Sequence, residues 1–266
     1  MTGMRPRQPD NRPKRRAFVL VSVAACLLAV AVSGCASTAD APERTDLVSQ
    51  IPWSAPERHT YELRENNKPK ATTTLSIAKE GDTFILTQRT ADDAGNSDES
   101  VSTVDAATLE PRSNVHSVID RDQRRVADAT YEDVEKDCSS KRVVRIRQLT
   151  YKPADAADPE NTRSSPLCVP EHAYDNDSSL FIWRTLTFEK GYTVTYTTVF
   201  SNRRDTQTVT LRVKDKTTVT TPAGEIEAWI VDLNADQVTQ RAWFATSPDH
   251  KLVAYQNESF FFRLKE

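Results

Sequence analysis

From Thr60 to the C-terminus, apolar residues recur at every second position in short runs separated by polar turns. "TYELREN" puts Tyr61 and Leu63 on one face, and "TTTLSIAK" does the same with Thr73, Leu75 and Ile77. Glu80-Gly81-Asp82 turns the chain into "TFILTQRT"; the polar loop "ADDAGNSDES" then leads to "SVSTVD". Asn114–Ile119, Arg125–Tyr131 and Arg142–Tyr151 continue the rhythm less clearly. Beyond Gly191, "YTVTYTTVF" and "TQTVTLRVKDK" alternate across a turn at 202–205. "IEAWIVDL", "TQRAWFAT", "LVAYQNE" and "SFFFRLKE" follow, with turns at "TPAGE" and "SPDHK". Period-two runs with short links predict hairpins and an antiparallel sheet with one wet face. One stretch breaks the rhythm. "YDNDSSLFIWRTLTFEKG" offers Asp175 or Asp177 as an N-cap, then Leu180, Phe181, Ile182, Trp183 and Leu186 at helical spacing, ending near Gly191. Apolar residues round most of its circumference predict a helix pressed into the domain. The expected architecture is mainly β, with one plug helix.

The other departure is Ala17–Val32, a sixteen-residue stretch apolar but for Ser22, preceded by six basic residues and one acid. A basic start, an apolar run and small residues at the exit form a secretory signal. The run is shorter than the roughly 20 residues that cross a bilayer comfortably, which sets a retained transmembrane anchor second. Val32-Ser33-Gly34-Cys35 resembles a bacterial lipobox. Cleavage between Gly34 and Cys35 would make Cys35 the acylated N-terminus. Val23-Ala24-Ala25-Cys26 also fits, but would leave "LLAVAV" on the mature chain, whereas Cys35 is followed by "ASTADAPERTD". Two or more acyl chains hold a protein on a membrane stably. Arg15-Arg16 also leaves twin-arginine export open beside the general route. The expected layout is a signal peptide over 1–34, a tether over 35–57 and one β-rich domain over 58–266. The expected location is the cell envelope, on the outer side of the cytoplasmic membrane or in the outer membrane.

Charge and composition narrow the functions. Removing residues 1–34 leaves 29 Lys and Arg against 37 Asp and Glu, which disfavours nucleic acid and gives no polybasic handle for anionic lipid. Four glycines remain after Gly34, too few for phosphate-cradling loops. Cys138 and Cys168, in an oxidising compartment, predict a disulfide that staples the loop "KPADAADPENTRSSP". The four histidines, His59, His116, His172 and His250, have no ligand spacing, so no metal or other cofactor is expected. No catalytic motif occurs, and "DNDS" at Asp175 lacks the glycine and glutamate of a calcium loop. Arg142, Arg145 and Arg147 read as the solvated face of a strand. Phe181, Trp183, Trp229, Trp243, Phe244 and Tyr255 either fill a core or line a hydrophobic cavity.

Four segments in order, "STVDAATLEP" (102–111), "YDNDSSLFIWRTLTFEKG" (174–191), "TPAGEIEAWIVDL" (221–233) and "RAWFATSPDHKLVAYQNE" (241–258), resemble an exported bacterial family catalogued as a domain of unknown function. Its sheet is similar to the open half-barrels of LolA/LolB-type lipoprotein carriers. The resemblance implies a long, curved antiparallel sheet with the helix on its concave face, in a concavity that in the carriers takes acyl chains. Asp249-His250 stands where the family has a glycine turn, and the Cys138/Cys168 pair lies outside its pattern. Three functions remain in view: first an anchored, non-enzymatic carrier of a lipid or other hydrophobic ligand, second an interaction module of an envelope assembly with a filled core, and third an enzyme. The sequence identifies no protein partner.

Overall fold

The computed structural model describes residues 47–134, 138–140, 142–235, 238–258 and 260–266. Cys35 and the signal segment lie outside them. Among the described residues, fifteen strands form one sheet: β1 (Glu57–Glu65), β2 (Lys68–Glu80), β3 (Thr83–Ala91), β4 (Ser97–Asp105), β5 (Pro111–Asp120), β6 (Gln123–Asp133), β7 (Arg142–Tyr151) and β8 (Asn161–Val169) make its first half. The second half is β9 (Tyr174–Asp175), β10 (Thr193–Phe200), β11 (Asp205–Thr221), β12 (Gly224–Ala235), β13 (Val238–Ala245), β14 (Leu252–Asn257) and β15 (Phe260–Leu264). The order is β8 to β1, then β15 back to β9, so β1 joins the C-terminal strand and the two halves form one continuous sheet. Every pairing is antiparallel except the short parallel contact of β9 with β10. The hairpins follow from the alternation and its turns; at Gly81 the backbone adopts φ +60°, which glycine reaches at little cost.

β8 and β9, the two ends of the order, do not pair, so the sheet is an open half-barrel. Side chains bring the ends together instead. The Tyr131 hydroxyl on β6 donates to Asp175 Oδ2 on β9 at 2.6 Å. Gln148 Nε2 on β7 donates to the carbonyls of Ser201 and Asn202 after β10, at 3.2 and 2.7 Å. Inside the roll lies the main core, which includes Tyr61, Ile77, Leu86, Phe181, Ile182, Leu211 and Phe244, all under 3 % exposed. Burying side chains of this size stabilises by roughly 1.5–3 kcal/mol each. A smaller core, with Tyr131, Val144, Ile146, Val169 and Val199, sits at the β6–β8 end.

The plug is shorter than the periodicity predicts. Only Ser179–Ile182 (α1) is α-helical, between 3₁₀ turns at Asn176–Ser178 and Trp183–Thr185, and Leu186 is already extended. Asp175 is the N-cap, its carboxylate accepting the Asp177 N–H at 2.9 Å. The Thr185 hydroxyl donates to the Ile182 carbonyl at 2.7 Å, which ties off the last turn. All seven residues from Ser179 to Thr185 are buried, so packing rather than helix propensity holds the segment.

Three further expectations are corrected. The tether predicted to run to residue 57 ends earlier, because Leu47 is fully buried and Trp53 packs edge-on to Phe84 at 5.9 Å. The Ser49 N–H donates to the Thr185 carbonyl at 3.0 Å, locking this segment to the plug. The loop between the cysteines contains β8, a polar edge strand without apolar alternation because both its faces are largely exposed. Arg142 is not on the solvated face: it stands three residues from Arg145, so it points inward with Val144 and is 6 % exposed. Its guanidinium donates to the carbonyls of Glu171 and Pro111 at 2.6 and 2.9 Å. Arg145 and Arg147 face outward against Glu132 and Asp128.

Cys138 and Cys168 form the predicted disulfide, with Cα atoms 5.6 Å apart. It fixes β8 to the turn before β7 across a sequence separation of 30. On the chain-entropy model, closing such a loop stabilises by about 3 kcal/mol. A Cys138→Ala/Cys168→Ala chain is therefore expected to unfold about 3 kcal/mol more easily in urea. A midpoint unchanged under oxidising conditions would contradict this.

Candidate ligand cleft

Beside the plug, the roll leaves a cleft of about 360 Å³. It opens at the end of the sheet where β10–β11, β12–β13 and β14–β15 turn, past Phe200, Ala235, Asn257 and Phe260. The opposite end is closed by residues 47–53 and the C-terminal half of the plug. The position follows from residue size and alternation: the large inward residues cluster near the closed end, and inward positions of β3 and β4 near the open end carry Gln88, Thr90 and Asp98.

The cleft has two unlike walls. One is apolar, with Leu63, Leu180, Val209, Leu233, Phe260 and Phe262. Phe260 stands on the lip and is 40 % exposed; with Val115 it is one of two large apolar side chains so exposed among the described residues. Trp183, Tyr196 and Tyr255 also line the cleft, and their polar atoms are paired. Trp183 Nε1 donates to the Tyr196 hydroxyl at 2.9 Å, and the Tyr255 hydroxyl donates to Gln240 Oε1. Burial pushes both phenols up, to about 12 for Tyr196, so both are neutral and rigidly placed.

The other wall is charged. His116 on β5 places Nε2 2.9 Å from Asp98 Oδ1 on β4, and Nδ1 3.1 Å from Asp177 Oδ2 in the first turn of the plug. Asn114 Nδ2 donates to the same Asp177 oxygen at 2.8 Å and is held through its Oδ1 by the Ser102 hydroxyl at 3.0 Å. Burial alone would lower the His116 pKa, but hydrogen bonds and charge from Asp177 and Asp98 outweigh it and hold the ring at about 10. For Asp177, burial raises and the His116 ring and Asn114 lower; the net is downward. Asp175, fully buried behind it, is pushed up by burial and by the Asp177 charge. His116 is thus an imidazolium that is hydrogen-bonded through Nε2 to Asp98 and ion-paired at Asp177 through a buried Nδ1 whose angle is too poor for a hydrogen bond. It has no lone pair to offer as a general base near neutral pH, and its role is to join two strands to the plug. Among the described residues no three His, Cys, Asp or Glu side chains converge to hold a metal ion.

The six aromatics singled out from the sequence separate. Trp183 and Tyr255 line the cleft, 6.3 Å apart between ring centres. Phe181 and Phe244 are solid core. Trp229 lines a separate depression at the closed end with Arg184 and Phe188. Trp243, next in sequence to Phe244, faces away from the core and packs edge-on to Phe261 at 6.0 Å. Asp98, His116 and Asp177 were missed as a group because 18 and 61 residues separate them in the chain. The signal was local: Asp98, Ser100 and Ser102 are three polar residues in succession on the inward face of β4, where an apolar row was due.

A rolled, unclosed antiparallel sheet that holds a short plug and a two-walled cleft defines a β-barrel-like protein. The chain belongs to the family described as Protein of unknown function (DUF3108), whose model matches residues 60–261. This bears out the resemblance carried by the four ordered segments. Among solved structures, the chain resembles a β-barrel-like protein of the domain of unknown function DUF1849 from Brucella abortus, at 12% identity and a TM-score of 0.48, over 82% of this chain and 96% of that one. It also resembles a protein from Bacteroides fragilis described as exported and having a YmcC-like fold, at 12% identity and a TM-score of 0.31, over 82% of this chain and 98% of that one. No curated protein matches the chain. No helix among the described residues is long and apolar enough to cross a membrane.

Proposed function

We propose that this chain is an exported envelope lipoprotein, held to its membrane through acylated Cys35, that binds an amphiphile in the side cleft. The observation that carries the reading is the cleft itself: about 360 Å³, walled on one side by aliphatic and aromatic side chains, with an exposed phenylalanine at its lip. That volume is at the lower end of small-ligand sites, which run from about 300 to 1,000 Å³. It suits one apolar tail rather than a whole two-chain lipid. The lipobox-like Val32-Ser33-Gly34-Cys35 supports the anchor, and the disulfide suits an oxidising compartment. Ser179, Leu180 and Trp183 of the plug form part of the cleft wall.

Native mass spectrometry on the protein purified from membranes tests both parts. The expected spectrum has a covalent mass of residues 35–266 plus a diacylglyceryl group, and a second, non-covalent adduct of single-tailed amphiphile mass that is lost on unfolding. A chain that begins elsewhere than Cys35 would remove the anchor. A bare fold that stays bare after incubation with membrane lipids would remove the ligand and favour an interaction module.

A further inference from the structure

Charge in the cleft restricts what can enter it. Among the described residues, its lining includes two carboxylates, Asp98 and Asp177, and no lysine or arginine. His116 stands between the carboxylates and offsets one of the two charges. Its Nε2 is hydrogen-bonded to Asp98 and its Nδ1 is buried against Asp177, so neither is open to a ligand anion. The Asp98 side chain remains 53% exposed. Arg203, whose guanidinium stacks on the Phe200 ring at 3.8 Å, lines a neighbouring groove and not the cleft. The uncharged polar lining includes Gln88 and Asn257, amides that accept as well as donate.

We propose that the cleft selects amphiphiles by head group, taking those with a cationic or hydroxyl-rich head and rejecting those with a carboxylate or phosphate. The inference rests on the ligand-binding reading above and adds the ligand's chemistry to it. The apolar wall, from Leu180 to Phe262, takes the tail. The head lies against Asp98, whose exposed carboxylate accepts hydrogen bonds from ammonium or hydroxyl groups. A charged acceptor forms the stronger class of such bonds. An anionic head would instead place like charges together with no cation to separate them, and such juxtaposition is strongly disfavoured.

Three amphiphiles with one decyl chain separate the two ideas: decylammonium, decyl maltoside and decanoate, each titrated below its micellar concentration against the purified protein by native mass spectrometry. The cation and the maltoside are expected to bind, with decanoate about tenfold weaker, the ratio that corresponds to a 1.4 kcal/mol penalty. Asp98→Asn keeps an oxygen for His116 to contact and removes one negative charge; it is expected to strengthen decanoate and bring the ratio below about threefold. Decanoate binding as tightly as the cation, or a ratio that Asp98→Asn leaves unchanged, overturns the head-group inference while the cleft stands. Failure of all three to bind overturns the cleft as a ligand site and the inference with it.

Discussion

Replacing Arg184 by methionine is expected to cost about 3–5 kcal/mol of folding stability, the range for removing one member of a buried ion pair. Arg184 is the charged centre of the closed end. Its two terminal nitrogens meet the two Glu57 oxygens at 2.6 and 3.2 Å, and Nη2 also donates to the Asp249 carbonyl at 2.7 Å. The guanidinium lies 5.3 Å from the Trp53 ring, and its side chain is 4 % exposed. Methionine would fill the volume but leave Glu57 half-buried beside His59 alone. Burial works to raise the Glu57 pKa, yet contacts with His59 and Arg184 win and hold it at about 2. A depressed carboxyl adds stability above its ordinary value, near 4.5, and that share is lost as pH falls through the folded value. The wild-type chain should therefore weaken between pH 4.5 and 2, and the variant should lose Glu57's share of that slope while Asp105, also held at about 2 by Arg112, keeps its own. Arg147→Met, which breaks an exposed pair with Asp128, is the control and should stay within about 1 kcal/mol. Urea midpoints at neutral pH decide it. A loss at Arg184 no larger than at Arg147 would show that the closed end holds without its ion pair.

What could be read in the sequence divides along a physical line. Sheet strands announce themselves where one face is buried and the other wet, and "YTVTYTTVF" and "TQTVTLRVKDK" pair as β10 and β11 with Tyr196 opposite Val209. β8 did not, since an edge strand with two wet faces carries no alternation; only Cys168 marks it. The plug was legible as a break in rhythm but not in length. A segment buried all round has no polar stripe to show where its helical turns stop. Trp243 and Phe244 show the same limit at one residue: aromatic content left both as core or cavity lining, whereas the pleat sends one outward and the other into the core. The cleft was least legible. Its charged wall joins β4, β5 and the plug, and only the rolled sheet brings those three together.

The same wall gives the fold an alkaline limit. The His116 pKa is about 10 in the fold, against an ordinary value near 6.5. A group raised on folding contributes its full stability below the unfolded value and loses it as pH climbs through the folded one. At 1.36 kcal/mol per pH unit the bridge would be worth nearly 5 kcal/mol. Asp98 is half exposed and its share is screened by water, so a loss on the order of 4 kcal/mol is expected between pH 6.5 and 10. His116→Gln should start less stable at pH 6 and show little of this decline, which separates the histidine from the lysines that also titrate near pH 10. Measuring below pH 10 keeps the buried tyrosines out of the comparison, because Tyr61, Tyr131 and Tyr255 are all pushed above the usual phenol value by burial. Parallel slopes for the two proteins would mean that Asp177 is held by Asn114 without the imidazolium. With the expected result, deprotonation would loosen the N-terminal turn of the plug from β4 and β5. Asp177 would then lose its cation, and two uncompensated carboxylates would face the cleft. The added negative charge should therefore strengthen a cation-headed amphiphile relative to decyl maltoside before the sheet unfolds, a trend that one pH titration followed by native mass spectrometry and near-ultraviolet circular dichroism would resolve.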